Sequence, residues 1–252
     1  MRKFALLAVV VLLLLPAFSY GFSTKGQDCS KCHTLKKEEA AALLKELAPN
    51  AKVLDIRTLP LKTMWEVDVD TGGKKGIVYI DFSKKYLISG ALIDIKAKKN
   101  LTRERFVEFN KIDVSKIPLK DALVMGNANA PHKVIVFSDP DCPSCAKLHQ
   151  EMKKVVAARK DIVFFIKMTP IHKESYDKAK SIVCEKSLIL LDNAFEKKQI
   201  PKPKCKTTII DDNIALGKAL GIPGLPAVIL SDGRIIPGYQ DANALKTLID
   251  KK

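Results

Sequence analysis

The residues best placed to do chemistry are two cysteines three positions apart, in Cys142-Pro143-Ser144-Cys145. A dithiol at this spacing can close to a disulfide and reopen, so it can exchange bonds with another disulfide. Two blander readings exist: half of a zinc site, which would need a second Cys or His pair nearby, or an inert structural disulfide. The context favours exchange. Upstream lies Val134-Ile135-Val136-Phe137, short and β-branched, which reads as a buried strand. Downstream, Leu148, Met152, Val155 and Val156 recur at helical spacing. A strand therefore turns into a helix, and the cysteines open that helix. Cys142 falls at or just before the first turn, where free amides and the positive dipole end favour an anion, and the thiolate is the reactive form of cysteine. Pro143 suits the first helical position, where its missing N–H costs nothing. Cys142 is the expected attacking thiol, and Cys145, one turn on and less exposed, the resolving thiol.

A second motif, Cys29-Ser30-Lys31-Cys32-His33, carries the spacing of covalent c-type haem attachment. Cys29 and Cys32 would hold the porphyrin through thioethers, with His33 as axial ligand. Residues 22–35 offer little apolar surface for a haem, and a distant Met64 or another His would have to be the second ligand. The competing readings are a second thiol pair and a chance match. The dithiol chemistry at Cys142 and Cys145 needs no cofactor, and no metal site is expected.

The elements that must position these groups begin with a targeting segment. Met1-Arg2-Lys3, an apolar run from Phe4 to Leu15, Pro16, and the small residues Ala17, Ser19 and Gly21 form a secretory signal over residues 1–21. The apolar run is short for a membrane span. The mature chain is therefore expected outside the cytoplasm, where six cysteines can form disulfides. The formal charge of +15 comes mostly from lysines scattered among acids, as in Lys36-Lys37-Glu38-Glu39. A nucleic-acid reader would show arginine clusters and aromatic platforms instead, so no nucleic-acid partner is expected.

After the polar segment 22–35, residues 36–97 read as a small helix-plus-antiparallel-sheet unit. The helix spans Lys37 to Leu47. Strands follow at Lys52–Thr58, Thr63–Val69, Lys75–Phe82 and Tyr86–Ile95, with Gly90 inside the last. Trp65 and Met64 belong to its core, and its strand edges suit self-association. Residues 98–118 are the linker-helix segment, its charged helix reading from Lys98 to Asn110. Residues 119–252 then give strand–helix–strand, a helical insert at Glu174–Leu191 and Asp212–Leu220, and strand–strand–helix. That is the order of a thioredoxin-like fold. The fold class is α+β, a thioredoxin-like domain with a helical insert behind a small cystatin-like α+β domain.

With these blocks in place, the chain resembles the DsbC/DsbG family of periplasmic disulfide isomerases. Phe137-Ser138-Asp139, the Cys142–Cys145 motif with Lys147-Leu148-His149, Ala215-Leu216-Gly217, Gly224-Leu225-Pro226-Ala227 and Pro237-Gly238-Tyr239-Gln240 carry the likeness. The resemblance implies that Cys142 is the nucleophile, that Pro226 is a cis-proline facing the dithiol with Leu225 before it, and that both contact substrate. It implies a structural disulfide between Cys184 and Cys205, whose loop closure would contribute about 3 kcal/mol. It also implies a V-shaped homodimer built by residues 36–97, disulfide-containing exported proteins as substrates, and a membrane thiol reductant of the DsbD type. Two positions depart from the family: Leu225 stands where Thr is frequent, and Pro-Ser separates the cysteines. Two roles stay open: Asp139 either tunes Cys142 or is a solvated loop acid, and His149 either packs or shuttles protons.

Overall fold

The computed structural model describes residues 32–251. The signal segment and Cys29 lie outside them. Helix α1 (Lys37–Lys45) covers one face of a four-stranded antiparallel sheet ordered β1 (Ala51–Thr58), β2 (Met64–Thr71), β3 (Lys75–Asp81) and β4 (Leu87–Ile88). Alternation along β2 sends Trp65, Val67 and Val69 into a core with Ala40, Leu44, Ile80 and Phe82. The opposite face of β2 carries Glu66 and Asp68, and both are buried.

The single strand expected over Tyr86–Ile95 is broken. Leu87–Ile88 pairs with β3, whereas β5 (Ile93–Asp94) pairs with β6 (Lys99–Asn100) in a separate ribbon. Gly90 sits between the two pieces, where a residue with no side chain to pack weakens a strand. The linker helix expected over Lys98–Asn110 begins three residues later, at Leu101. Lys98 has a left-handed φ of 53°. The Asn100 side chain then caps helix α2 (Leu101–Phe109) by accepting from the Arg103 amide. Only a 3₁₀ turn, Val114–Lys116, follows.

The C-terminal half holds β7 (Leu123–Gly126), β8 (His132–Ser138), α3 (Pro143–Ala158), β9 (Ile162–Met168), α4 (Ser175–Cys184), α5 (Leu188–Phe195), α6 (Ile209–Ala219), β10 (Ala227–Ile229), β11 (Ile235–Pro237) and α7 (Ala242–Asp250). Its sheet runs β11-β10-β8-β9-β7, with β8 and β9 parallel and the other pairs antiparallel. This is a thioredoxin-like sheet with helices α4 to α6 inserted. One face packs Val134, Val136, Phe164 and Ile166 against Leu148, Met152 and Val155 of α3. The other packs Ile135, Phe137, Val163 and Phe165 with Ile117, Leu216 and Leu220. The continuous helix expected over Glu174–Leu191 is two helices. Lys186 turns left-handed at φ 45°, and Ser187 caps α5 by accepting from the Leu190 amide. The linker docks at Gly233, where φ is +88° and an added Cβ would lie 2.1 Å from the Ile112 carbonyl oxygen. Only glycine fits there.

Candidate functional site: a dithiol at the sheet edge

Four segments meet at one edge of the C-terminal sheet, and the strand directions require it. Strand β8 runs up to the Cys142 turn, and parallel β9 ends beside it. Antiparallel β10 starts at the same edge, just after Leu225 and Pro226, and β11 ends there at Pro237-Gly238-Tyr239.

Cys142 is the N-cap residue of α3. Its Sγ accepts from the Cys145 amide at 3.4 Å, and Pro143 occupies the first turn. Its thiol faces the Leu225 carbonyl oxygen at 4.0 Å, and the Leu225–Pro226 bond is cis. Both sulfurs are free thiols. They differ in access: Cys142 keeps 8% of its surface and Cys145 1%. Burial, reinforced by the adjacent Cys142 sulfur, pushes the Cys145 thiol far above the ordinary range, against the opposing pull of the Asp139 amide and the Ser138 hydroxyl. Cys145 is thereby held as a protonated thiol behind its partner.

Asp139 is fully buried and is not a solvated acid. Its two carboxylate oxygens accept from the Asp141 amide at 2.8 Å and the Ile171 amide at 2.7 Å, and its carbonyl accepts from the Cys142 amide at 3.2 Å. One side chain thus clamps the active turn to the loop after β9. Asp141 extends the brace to the insert, accepting from Ser175 Oγ at 2.8 Å and Lys178 Nζ at 2.6 Å. Burial alone would raise the Asp141 carboxyl, but these two donors outweigh it and hold it below its usual range. His149 is 2% exposed, packs against Phe195, and is hydrogen-bonded through Nε2 to Asp192 Oδ1 at 2.8 Å. Burial lowers its basicity, against the pull of Asp192. It is a packed histidine that ties α3 to α5.

Cys184 and Cys205 are joined by a disulfide that closes the loop between α4 and α6. In the N-terminal motif, Cys32 is an exposed free thiol and His33 stacks on Phe82 with ring centroids 5.1 Å apart. Cys29, the third member, lies outside the described residues. Among the described residues, no cluster of three or more His, Cys, Asp or Glu side chains is arranged to hold a metal ion.

The sequence reading missed Ser175, Lys178, Asp192 and the buried Lys167. The first three meet their partners across 34 to 43 residues of chain, and no local pattern marks such contacts. Lys167 does leave a trace, as the one charge inside the apolar run Ile162–Met168. Its ammonium donates to the Pro118 carbonyl at 2.8 Å, fixing the linker to the sheet.

A thiol at a helix start, a buried second thiol one turn behind it and a proline loop opposite define the thioredoxin-like class of dithiol proteins. Comparison with known proteins narrows the class. The family model described as a thioredoxin-like domain matches residues 119–252, and that described as the disulfide bond isomerase protein N-terminal domain matches residues 33–103. The thiol:disulfide interchange protein DsbC of Salmonella typhimurium is 30% identical over 181 residues, covering 70% of this chain and 73% of that protein. DsbC of Escherichia coli K12 is 28% identical over 217 residues, covering 84% and 87%. A solved disulfide interchange protein from Neisseria gonorrhoeae is 28% identical, with a TM-score of 0.47 over 54% of this chain and 97% of that one. The chain belongs to the DsbC family of thiol:disulfide interchange proteins.

Proposed function

We propose that the chain is a periplasmic, homodimeric thiol:disulfide isomerase in which Cys142 is the nucleophile and Cys145 the resolving thiol. The Cys142 thiolate attacks one sulfur of a wrong disulfide in an exported protein. That bond breaks, a Cys142–substrate disulfide forms, and the other substrate sulfur leaves as a thiolate. A second substrate thiolate can then displace Cys142, which returns unchanged while the substrate carries a new disulfide. Alternatively Cys145 loses its proton and attacks the Cys142 sulfur. The substrate then leaves reduced, and the Cys142–Cys145 pair is oxidised. Two electrons must be returned by a membrane thiol reductant of the DsbD type.

The observation that carries this reading is the asymmetry of the pair. Cys142 reaches the surface at a helix start opposite the Leu225 carbonyl, whereas Cys145 is sealed and held as a thiol. A resolving thiol that deprotonates with difficulty slows the reductive exit and leaves the substrate's own thiols time to rearrange. Leu225 and Pro226 form the substrate-facing loop, where an extended substrate segment can add to exposed backbone. Residues 36–97 serve as the dimerisation unit, 98–118 as the linker and 119–252 as the catalytic domain. A covalent haem on Cys29, Cys32 and His33 plays no part in this reading.

The test is refolding of a substrate with scrambled disulfides in a glutathione buffer. Cys142→Ala should abolish rearrangement, a loss of at least about 100-fold. Cys145→Ala should retain part of it while accumulating mixed disulfides. Rearrangement that survives Cys142→Ala sinks the proposal.

A further inference from the structure

Resting on the isomerase reading, we infer that Ile171 and Tyr239 form an apolar lip that selects substrates with aliphatic or aromatic side chains beside the reacting cysteine. The sheet order places Tyr239 after β11, Leu225–Pro226 before β10, Cys142 after β8 and Ile171 after β9, all at one edge and in that lateral sequence. Neighbouring strands are about 4.8 Å apart, so three strand gaps span about 14 Å, the reach of four or five extended residues. A substrate segment whose sulfur meets Cys142 while it lies across these strand ends runs toward Ile171 on one side and toward Leu225, Pro226 and Tyr239 on the other.

Both side chains are held out in solvent. Ile171 is 64% exposed and Tyr239 44%, against an almost fully buried sheet beneath them. Ile171 is not left out by looseness. Its amide is fixed by the buried carboxylate of Asp139, the residue whose carbonyl also fixes the Cys142 amide. Pro170 before it is buried. Tyr239 follows Gly238, whose amide donates to the Pro226 carbonyl at 2.8 Å. Each apolar side chain is thus tied through backbone to one wall of the dithiol edge. An exposed β-branched apolar residue with an anchored backbone has little freedom left to lose on contact, and burying it is favourable. The lip therefore fits the apolar residues that a misfolded chain exposes around a wrong disulfide.

The test uses full-length protein carrying Cys145→Ala and two peptides, each with one cysteine activated as its thionitrobenzoate disulfide. The peptides differ only in carrying leucine or serine at the three positions on each side of that cysteine. Attack by Cys142 on the peptide sulfur releases thionitrobenzoate, whose colour gives the rate. The leucine peptide should react roughly five- to tenfold faster. Ile171→Ser should bring that ratio close to one and leave the serine peptide and the small reagent dithionitrobenzoate unchanged, whereas Ile171→Leu should keep the preference. Tyr239→Ser should lower it by about half as much. A leucine preference that survives both serine variants, or equal starting rates for the two peptides, overturns the lip. Absence of Cys142-dependent release from either peptide or from dithionitrobenzoate overturns the isomerase reading instead.

Discussion

In the C-terminal half, Asp139, Ser175, Asn213, His149 and Lys167 are all sealed from solvent, and each meets a defined partner. Three of the five are held by backbone groups: Asp139 by the Asp141 and Ile171 amides, Asn213 by the Met168 carbonyl and Lys167 by the Pro118 carbonyl. The N-terminal sheet buries polar groups differently. Glu66 and Asp68 face Arg57 of β1 and Arg105 of the linker helix, with Asp68 Oδ2 within 2.6 Å of Arg57 and 2.5 Å of Arg105. Yet Asp68 Oδ1 and the Nε atoms of both arginines have no hydrogen-bond partner among the described residues. A buried polar group satisfied by backbone fixes one geometry, whereas an ion cluster with orphaned atoms carries an uncompensated desolvation cost. The dithiol half is built to hold its turn still. The other half joins sheet to linker through this ion cluster.

Removing Asp139 should give the largest stability effect. Asp139→Ala leaves the Asp141 and Ile171 amides unpaired under a closed loop, at a combined cost of roughly 2–5 kcal/mol. The chain offers a convenient pair of probes, because Trp65 is its single tryptophan and lies in the N-terminal core. Urea unfolding followed by circular dichroism should shift markedly in Asp139→Ala, while the Trp65 fluorescence transition stays in place. A matching shift of both signals would show that the halves unfold as one and would erase the contrast drawn above.

Arg105→Met probes the other side. It leaves Glu66 and Asp68 facing Arg57 alone and removes the ion-pair tie between α2 and the sheet. The loss should be about 1–3 kcal/mol, between an exposed pair and a fully buried one. It should appear in the Trp65 transition at fixed protein concentration, with the rate of Cys142 on a small disulfide unchanged. A changed thiol rate would mean that the linker contact reaches the dithiol.

How much of this could be read beforehand follows from the range of each interaction. The strand–turn–helix around Cys142 and the alternation of Trp65, Val67 and Val69 are local patterns, and they stand where periodicity puts them. The helix break at Lys186 and the strand break near Gly90 depend on single backbone conformations. A run of good helix or strand formers hides these. Glu66 and Asp68 fall on the alternate positions of β2 and read as a solvent face. Arg57 of the neighbouring strand and the distant Arg105, 37 residues beyond Asp68, close over them. Sequence leaves the role of Asp139 between two readings, because nothing near it announces that the Ile171 amide returns to meet it.

The smallest expected effect, and the sharpest on this contrast, is the response to mild acid. Burial depresses His149 below the usual imidazole range despite Asp192, with Lys153 on the same carboxylate adding to the depression. The folded state therefore resists a proton that the unfolded chain accepts near the ordinary value of about 6.5. Stability from this group is complete above that value and is lost as the pH falls toward the folded one, by at most about 1.4 kcal/mol per pH unit. Glu66 and Asp68 have the opposite sign. Burial raises both carboxyls, with Arg57 opposing. The folded state holds their protons more tightly than the unfolded chain, so the cost of keeping them ionised is relieved as the pH drops through their raised values. Between pH 7 and 5 the circular dichroism transition should move to lower urea, and His149→Gln should flatten that slope. The Trp65 transition should hold or rise, and Asp68→Asn should remove the rise. A parallel fall of both transitions, untouched by His149→Gln, would mean that neither the buried histidine nor the ion cluster sets the pH response of its half.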